Sequence, residues 1–432
     1  MNDATRKRDG VRATRARLTL LYLTLALSVI TFLDRVAISS AAPVIRDELG
    51  LSRVEMAWVF SVFTFAYAAF EVPSGWLGDV IGPRKALARI VVWWSAFTMV
   101  TGLAWNLSSL LVARALFGVG EAGAFPNISR SFATWIPETE RGRAHGLVLM
   151  GTRAGGAVTP IVMVGLMAWL GWRWTFAFLG VIGIVWVVVW LRWFTDDPSG
   201  HSSVNAAELA HIRAGLGRPP GRPFAWRLLL SKNLALLCLM YFSIGYTLYF
   251  NLTWLPTYLR EARGFTVGQA GLLSSVVLAA GAIGTWLGGR LTDRLVARHG
   301  LRVGRSIGAV ALPLSGLLVV GAALVPNPIA AAVLLTLTLG VGDLAMGASW
   351  SMCHDLGGSR AGVVAGAMNT MGNIGGAISP LVVGYANSWT LPFFITAGVY
   401  VAGGLLTLLI DPRRSIWDDS ATSGLKGTPG IS

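Results

Sequence analysis

Charged residues are scarce in this chain. They make up 13% of its 432 residues, against roughly 25% in a soluble domain, which excludes a water-soluble globular protein of this length. Cysteine is scarcer still. Cys238 and Cys353 fall within or at the end of apolar stretches and show no metal-type spacing, so neither a zinc site nor a disulfide framework is expected. Five histidines are present, none deep in an apolar stretch: His145 and His354 sit near stretch ends, and His201, His211 and His299 lie in polar segments. Any proton carried through the apolar interior must therefore ride on carboxylates. The ~10-residue alternating strands of an outer-membrane barrel are missing, as are a nucleotide loop, a metal cluster and a catalytic triad. No enzyme, metal or cofactor is expected. Nor is a cleavable leader, because the first apolar stretch is too long and carries charges.

What is present is apolar length. The chain is 54% hydrophobic with a mean hydropathy of +0.62. A bilayer core ~30 Å thick takes ~20 apolar residues per helix, and backbone polar groups in lipid must be satisfied within the segment. Twelve stretches qualify, at about 18–41, 55–77, 86–106, 107–128, 144–169, 172–194, 233–258, 267–289, 305–324, 328–350, 361–384 and 390–410. The fold class is an all-α polytopic membrane protein of twelve transmembrane helices.

The longest polar segment, 195–232, divides six spans from six. It holds Asp196-Asp197-Pro198-Ser199-Gly200 and Arg218-Pro219-Pro220-Gly221-Arg222-Pro223, whose prolines and glycines break helices; a short amphipathic helix fits 204–215. The units are then a tail 1–17, a six-helix bundle 18–194, the linker, a second bundle 233–410 and a tail 411–432. The net charge of +14 invites a nucleic-acid reading, but its distribution opposes it. With the N-terminus cytoplasmic, 27 of the 35 Lys and Arg fall on the cytoplasmic side, five on the other and three inside spans. That is the positive-inside rule, with both termini cytoplasmic, in a bacterial inner membrane. The partners expected are the bilayer, protons and a small solute, for a monomer.

The halves repeat each other. Gly146, Gly155, Gly156, Ala157 and Pro160 recur at Gly366, Gly375, Gly376, Ala377 and Pro380, and Gly118-Val119-Gly120-Glu121 recurs as Gly340-Val341-Gly342-Asp343. Six spans per half make the copies parallel repeats, with the binding site between them near mid-membrane. Between spans two and three stands Gly75-Trp76-Leu77-Gly78-Asp79-Val80-Ile81-Gly82-Pro83-Arg84-Lys85. It resembles the signature loop of the major facilitator superfamily, with a degenerate second copy at Gly289…Asp293. Gly75, Asp79, Gly82, Arg84, Lys85 and Asp293 are accordingly expected to serve an inner gate.

Charges inside spans are costly, at least ~2.5–3.5 kcal/mol each, and mark ion or substrate paths. Asp34 and Arg35 lie adjacent in span one, with side chains ~100° apart, and need not pair with each other. Arg114 and Glu121 lie seven residues apart in span four, on about one face. Arg153 lies in span five, and Asp343 is the repeat mate of Glu121. An acid that feels both burial and an arginine can titrate near neutral pH. An anion that takes the arginine frees the acid for a proton, and guanidinium forks match carboxylates.

These residues are similar to those of the anion:cation symporter family. The resemblance rests on Phe32-Leu33-Asp34-Arg35, Tyr67, Arg114 with Glu121, the run Gly118–Asn127 (GVGEAGAFPN) and Asn251–Leu259 (NLTWLPTYL). It implies proton-coupled import of an organic anion. Asp34 and Glu121 would be proton sites, Arg35 with Tyr67 would hold the carboxylate, and Arg114 would link the two. Thr152 and Arg153 are further cavity candidates. In the second half the candidates are Tyr249, Asn251, Ser349, Trp350, Asn369 and Asn373, whose hydroxyls and amides suit sugar hydroxyls. The expected cargo is a sugar acid: a hexonate, hexarate or hexuronate. The alternatives are an aromatic or dicarboxylic acid, a proton-driven organic-anion exporter, or a sensor on a transporter fold.

Overall fold

The computed structural model describes residues 13–214, 231–358 and 361–414. The ends of both tails and much of the central linker lie outside the described residues. Within them the chain is helical, with no strand. The first half comprises α1 (Ala16–Leu49), α2 (Arg53–Ile81), α3 (Pro83–Gly102), α4 (Leu107–Glu121), α5 (Ala124–Trp135) and α6 (Glu138–Trp193). A short α7 (Ala206–Ala214) follows. The second half comprises α8 (Lys232–Thr253), α9 (Leu255–Glu261), α10 (Val267–His299), α11 (Leu301–Arg305), α12 (Gly308–Leu324), α13 (Pro328–Gly342), α14 (Leu344–Gly357), α15 (Ala361–Tyr385) and α16 (Thr390–Leu409).

Nine helical segments among the described residues are long and apolar enough to cross a membrane. Several join two helices into one crossing, as α4 with α5 and α13 with α14. The longest segment, 54 residues within α6, breaks at Gly171 (φ 71°, ψ 166°) and so crosses twice. Only glycine takes that backbone without strain, which fixes the reversal between spans five and six. Helices α3 and α15, of 20 and 25 residues, complete twelve crossings. They fall short on apolarity because α3 opens with Pro83-Arg84-Lys85 and α15 is rich in glycine and asparagine. Local signals set the helix starts. Ser52 with Glu55, Asn106 with Ser109 and Thr266 with Gln269 form capping boxes at α2, α4 and α10, each satisfying otherwise unpaired N–H groups.

Glycines set how closely helices approach. A Cβ on Gly155 of α6 would lie 2.6 Å from the Val29 carbonyl of α1, and its repeat mate Gly375 of α15 meets the Phe242 carbonyl of α8 in the same way. The sequence duplication is thus a duplication of packing. Between the halves, α2 packs on α15 and α6 on α10.

The halves are joined unequally along their depth. Call the side where α1 begins the tail side. Among the described residues, the far side is joined by Arg46 with Glu261, Asp47 with Arg260, and Trp58 with Tyr385, while Arg153 with Asp343 and Glu71 with Asn369 join the halves deeper in, on the tail side of mid-depth. Arg53 also stacks on Trp389 at 3.9 Å. One apolar cluster runs from Val36–Ile45 and Met56–Phe60 into the second half. The tail-side core of the first half, with Leu20, Trp94, Phe132 and Trp190, belongs to that half alone. At the tail-side helix ends, polar contacts among the described residues stay within a half or reach the linker: Arg17 holds Glu140 at 2.9 Å and Glu208 of α7 at 2.8 Å.

Candidate functional site

Arg35 lies 19 residues into α1, near mid-depth. Its Nε donates to Glu121 Oε1 at 3.0 Å, its Nη2 donates to the same oxygen, and Nη1 donates to the Tyr249 hydroxyl of α8 at 3.3 Å. The guanidinium also stands over three rings, Tyr67 at 4.7 Å, Phe32 at 5.0 Å and Phe63 at 5.2 Å. Such a cation is held in one orientation by an acid, a phenol and ring faces. Tyr249 in turn donates to Asn373 Oδ1 at 3.3 Å. One chain of contacts therefore joins α4, α1, α8 and α15 across both halves.

Glu121 is fully buried at the end of α4, with Oε2 unpartnered. Its arginine is Arg35, whereas its span-mate Arg114 sits over Phe117 at 4.5 Å and Phe63 at 4.9 Å, with Nε unpartnered. The spacing of seven put Arg114 and Glu121 on one face, but the tertiary fold gives the acid to a different helix. Asp34 is buried with neither carboxylate oxygen hydrogen-bonded. It lies in the electrostatic range of Arg114 and Glu121, with the Trp94 ring nitrogen nearby but outside hydrogen-bond geometry. A buried acid without a partner is expensive, as is common at a site that changes charge state.

Arg153 of α6 reaches across to the other half, where its Nη1 lies 3.0 Å from Asp343 Oδ2. The Thr285 hydroxyl of α10 approaches the same oxygen at 3.5 Å. Close by, Trp350 Nε1 donates to the Tyr241 hydroxyl at 3.1 Å. Three other candidates bond to their own helix backbone, Thr152 to Leu149 O, Ser349 to Ala345 O and Asn251 Nδ2 to Thr247 O, and Ser349 also donates to the Met240 sulfur of α8 at 3.7 Å. The Asn251 side-chain oxygen stays buried and unpartnered.

Glu71 of α2 was not among the charges singled out in the spans. Asn369 of α15 donates to its two oxygens at 3.0 and 3.4 Å, a further polar link between halves beside Arg35–Tyr249 and Arg153–Asp343. The signal was available, since Glu71 falls inside 55–77. It was obscured by standing two residues before Pro73 and four before the glycine-rich loop. In that loop, Asp79 pairs with Arg130 of α5, and the Arg84 backbone N–H donates to Asp196 at 2.8 Å. Gly82 takes φ 79° with Asp196 against it. Both partnerships lie within the first half and its linker. Lys85 and Asp293 are exposed.

A profile of the Major Facilitator Superfamily matches residues 24–380. Among curated relatives, a protein described as a probable sulfoacetate transporter of Cupriavidus necator is 38% identical, covering 90% of this chain and 92% of its own length. A D-galactonate transporter of Escherichia coli is 33% identical over 84% and 88%. A hexuronate transporter of Bacillus subtilis is 31% identical over 89% and 91%. Among solved structures, a bacterial homologue of the human lysosomal transporter Spinster, inward-facing and unoccupied, superposes with a TM-score of 0.76 at 18% identity. It covers 95% of this chain and 99% of that one, and speaks to the fold alone.

Proposed function

This chain belongs to the Major Facilitator Superfamily and is a multi-pass membrane transporter and not an enzyme; on that premise we propose that it imports an organic anion by proton symport. The cargo proposed is a sugar acid: a hexonate, hexarate or hexuronate. The observation that carries this reading is Arg35, a cation at mid-depth held by Glu121 of its own half and Tyr249 of the other. An anionic group entering between the halves competes with Glu121 for the guanidinium. The displaced carboxylate then takes a proton, since an unpaired buried charge costs several kcal/mol. Return of Arg35 to Glu121 expels both. Asp34 is the second proton site, with Arg114 between it and Glu121. Tyr67, Asn373 and Asn369 offer the ring face, hydroxyl and amides that suit a polyol acid.

Units 18–194 and 233–410 would rock about mid-depth, with the tail side cytoplasmic in a bacterial inner membrane, and the chain acting as a monomer. The far-side seal, and the confinement of polar contacts at the tail-side helix ends to single halves among the described residues, support an inward-open state. Asp79, Arg84 and the other loop residues would then form cross-gate contacts only on closure. A second cargo, a short acid bearing a sulfonate, is favoured by the relative at 38% identity. The test is uptake into proteoliposomes from a panel of organic acids, with and without an imposed proton gradient. Accumulation should require the gradient; uptake indifferent to it would sink the symport reading.

A further inference from the structure

The duplicated acids Glu121 and Asp343 occupy the same place in the two halves. Each stands at the break of a crossing, between α4 and α5 or between α13 and α14, and each is buried. Each also holds one arginine, but the two pairs are not equivalent. Glu121 takes Arg35 from its own half, whereas Asp343 takes Arg153 from the opposite half. A pair within one half can persist while the halves rock. A pair across the seam is carried by the motion that opens and closes the cavity, and parting it leaves two buried charges exposed to the full cost of desolvation. Something anionic must take over Arg153 when Asp343 leaves.

We propose that Arg153 is a second anion site, and that the cargo is a dianion whose two acidic groups are taken by Arg35 and Arg153. This rests on the organic-anion reading above and names its substrate class. The arginine is the partner that an entering group meets first: its side chain keeps 14% of its surface exposed, against 4% for Asp343. The spacing is suitable. Helix α6 lies on α1 with Gly151 against Leu25 and Ser28 and Gly155 against Val29, so Arg153 is level with about Ser28. Seven residues separate that level from Arg35, about 10 Å along the axis. That step suits an acid with a charged group at each end, since each end stands a hydrogen bond away from its own guanidinium. Along the same path α8 offers Tyr249, bonded to Arg35, and Tyr241, in the electrostatic range of Arg153 and Asp343.

Proton balance follows from the same geometry. A dianion that occupies both arginines releases two carboxylates, Glu121 and Asp343, and each takes one proton from the side the cavity faces. The groups facing Asp343 are Arg153 of α6, Thr285 of α10, Tyr241 of α8 and Tyr400 of α16. None of these but Arg153 is a cation, so the loss of that arginine leaves the acid without a counter-charge. These two protons offset the two charges of the dianion, and a proton carried by Asp34 would add one positive charge per cycle.

The test is uptake and binding in proteoliposomes with matched pairs, D-glucarate against D-gluconate and sulfoacetate against glycolate. Wild type should favour the doubly charged member of at least one pair by about tenfold or more, the worth of one charged hydrogen-bonded contact. Arg153→Gln should bring that member down to the level of its singly charged partner, the ratio between the two being the readout. Asp343→Asn, which frees Arg153, should keep the preference and flatten its pH dependence. Equal loss of both members in Arg153→Gln, or loss of the preference in Asp343→Asn, would mean a structural lock and overturns the inference. Uptake of singly charged acids alone overturns it and leaves the organic-anion reading intact. A folded wild type that takes nothing from the wider panel defeats both.

Discussion

Glu121→Gln separates binding from coupling. In the structure Glu121 Oε1 accepts two N–H donors of Arg35, and an incoming anion has to replace that carboxylate. A glutamine keeps an oxygen in the same place but no charge. The rings of Tyr67, Phe32 and Phe63 and the Tyr249 hydroxyl still hold the guanidinium, so the variant should fold. The competition it removes is that of at least one charged hydrogen bond, about 1.5–3 kcal/mol, or roughly 10- to 150-fold in affinity. The sign depends on pH. In wild type, raising the pH strips the proton from Glu121, returns Arg35 to it and weakens anion binding. In the variant the anion should bind more tightly at high pH than it does in wild type, with a shallower slope. Calorimetric titration of purified protein with the anion that wild type accumulates reads this directly. In proteoliposomes the variant should exchange labelled for unlabelled anion yet fail to accumulate it against a proton gradient. A pH slope equal to that of wild type, or accumulation at the wild-type level, would refute the assignment of Glu121 as the site where proton and anion compete.

Three further outcomes follow from the same geometry. Arg35→Ala should abolish binding of every acid in the panel, since it removes the guanidinium that faces Glu121 and Tyr249; calorimetry checks this, and binding within threefold of wild type would contradict it. Gly155→Val places a side chain against the Val29 carbonyl of α1, where even a Cβ lies 2.6 Å away. It should cost about 1–3 kcal/mol of packing, seen as a lowered Tm in detergent, with the mate substitution Gly375→Val behaving alike. Arg46→Ala removes a far-side ion pair at 2.5 Å whose acid is about one-third exposed. Such pairs contribute about 0–1 kcal/mol, so uptake should fall less than about fivefold; a larger loss would show that the seal rests on charge and not on the apolar cluster behind it.

Much of this architecture is legible along the chain because membrane helices are coded locally. Each needs ~20 apolar residues and closes its own backbone hydrogen bonds, so the twelve crossings follow from hydropathy, even where α3 and α15 are too polar for a strict threshold. Gly155 and Gly375 announced close packing by recurring at one offset. Glu71 shows the opposite case. It lies within a recognised span, yet its importance depends on Asn369, 298 residues away. Thr152 and Ser349, picked for their chemistry, hold their own helix backbones instead, as hydroxyls in apolar helices commonly do.

The pairing of charges divides the two kinds of information most clearly. Composition and position alone determined that Asp34, Arg35, Arg114, Glu121, Arg153 and Asp343 lie in the apolar zone, because desolvation makes any charge there exceptional whatever surrounds it. They did not determine who meets whom. Helical spacing offered Arg114 to Glu121, and the fold gave it Arg35. Nothing in the sequence joined Arg153 to Asp343, 190 positions apart, and only the packing of α6 on α10 brings the two halves close enough for that contact. The cost of burying a charge is local, whereas its neutralisation depends on which helices are neighbours, and that is settled only in three dimensions.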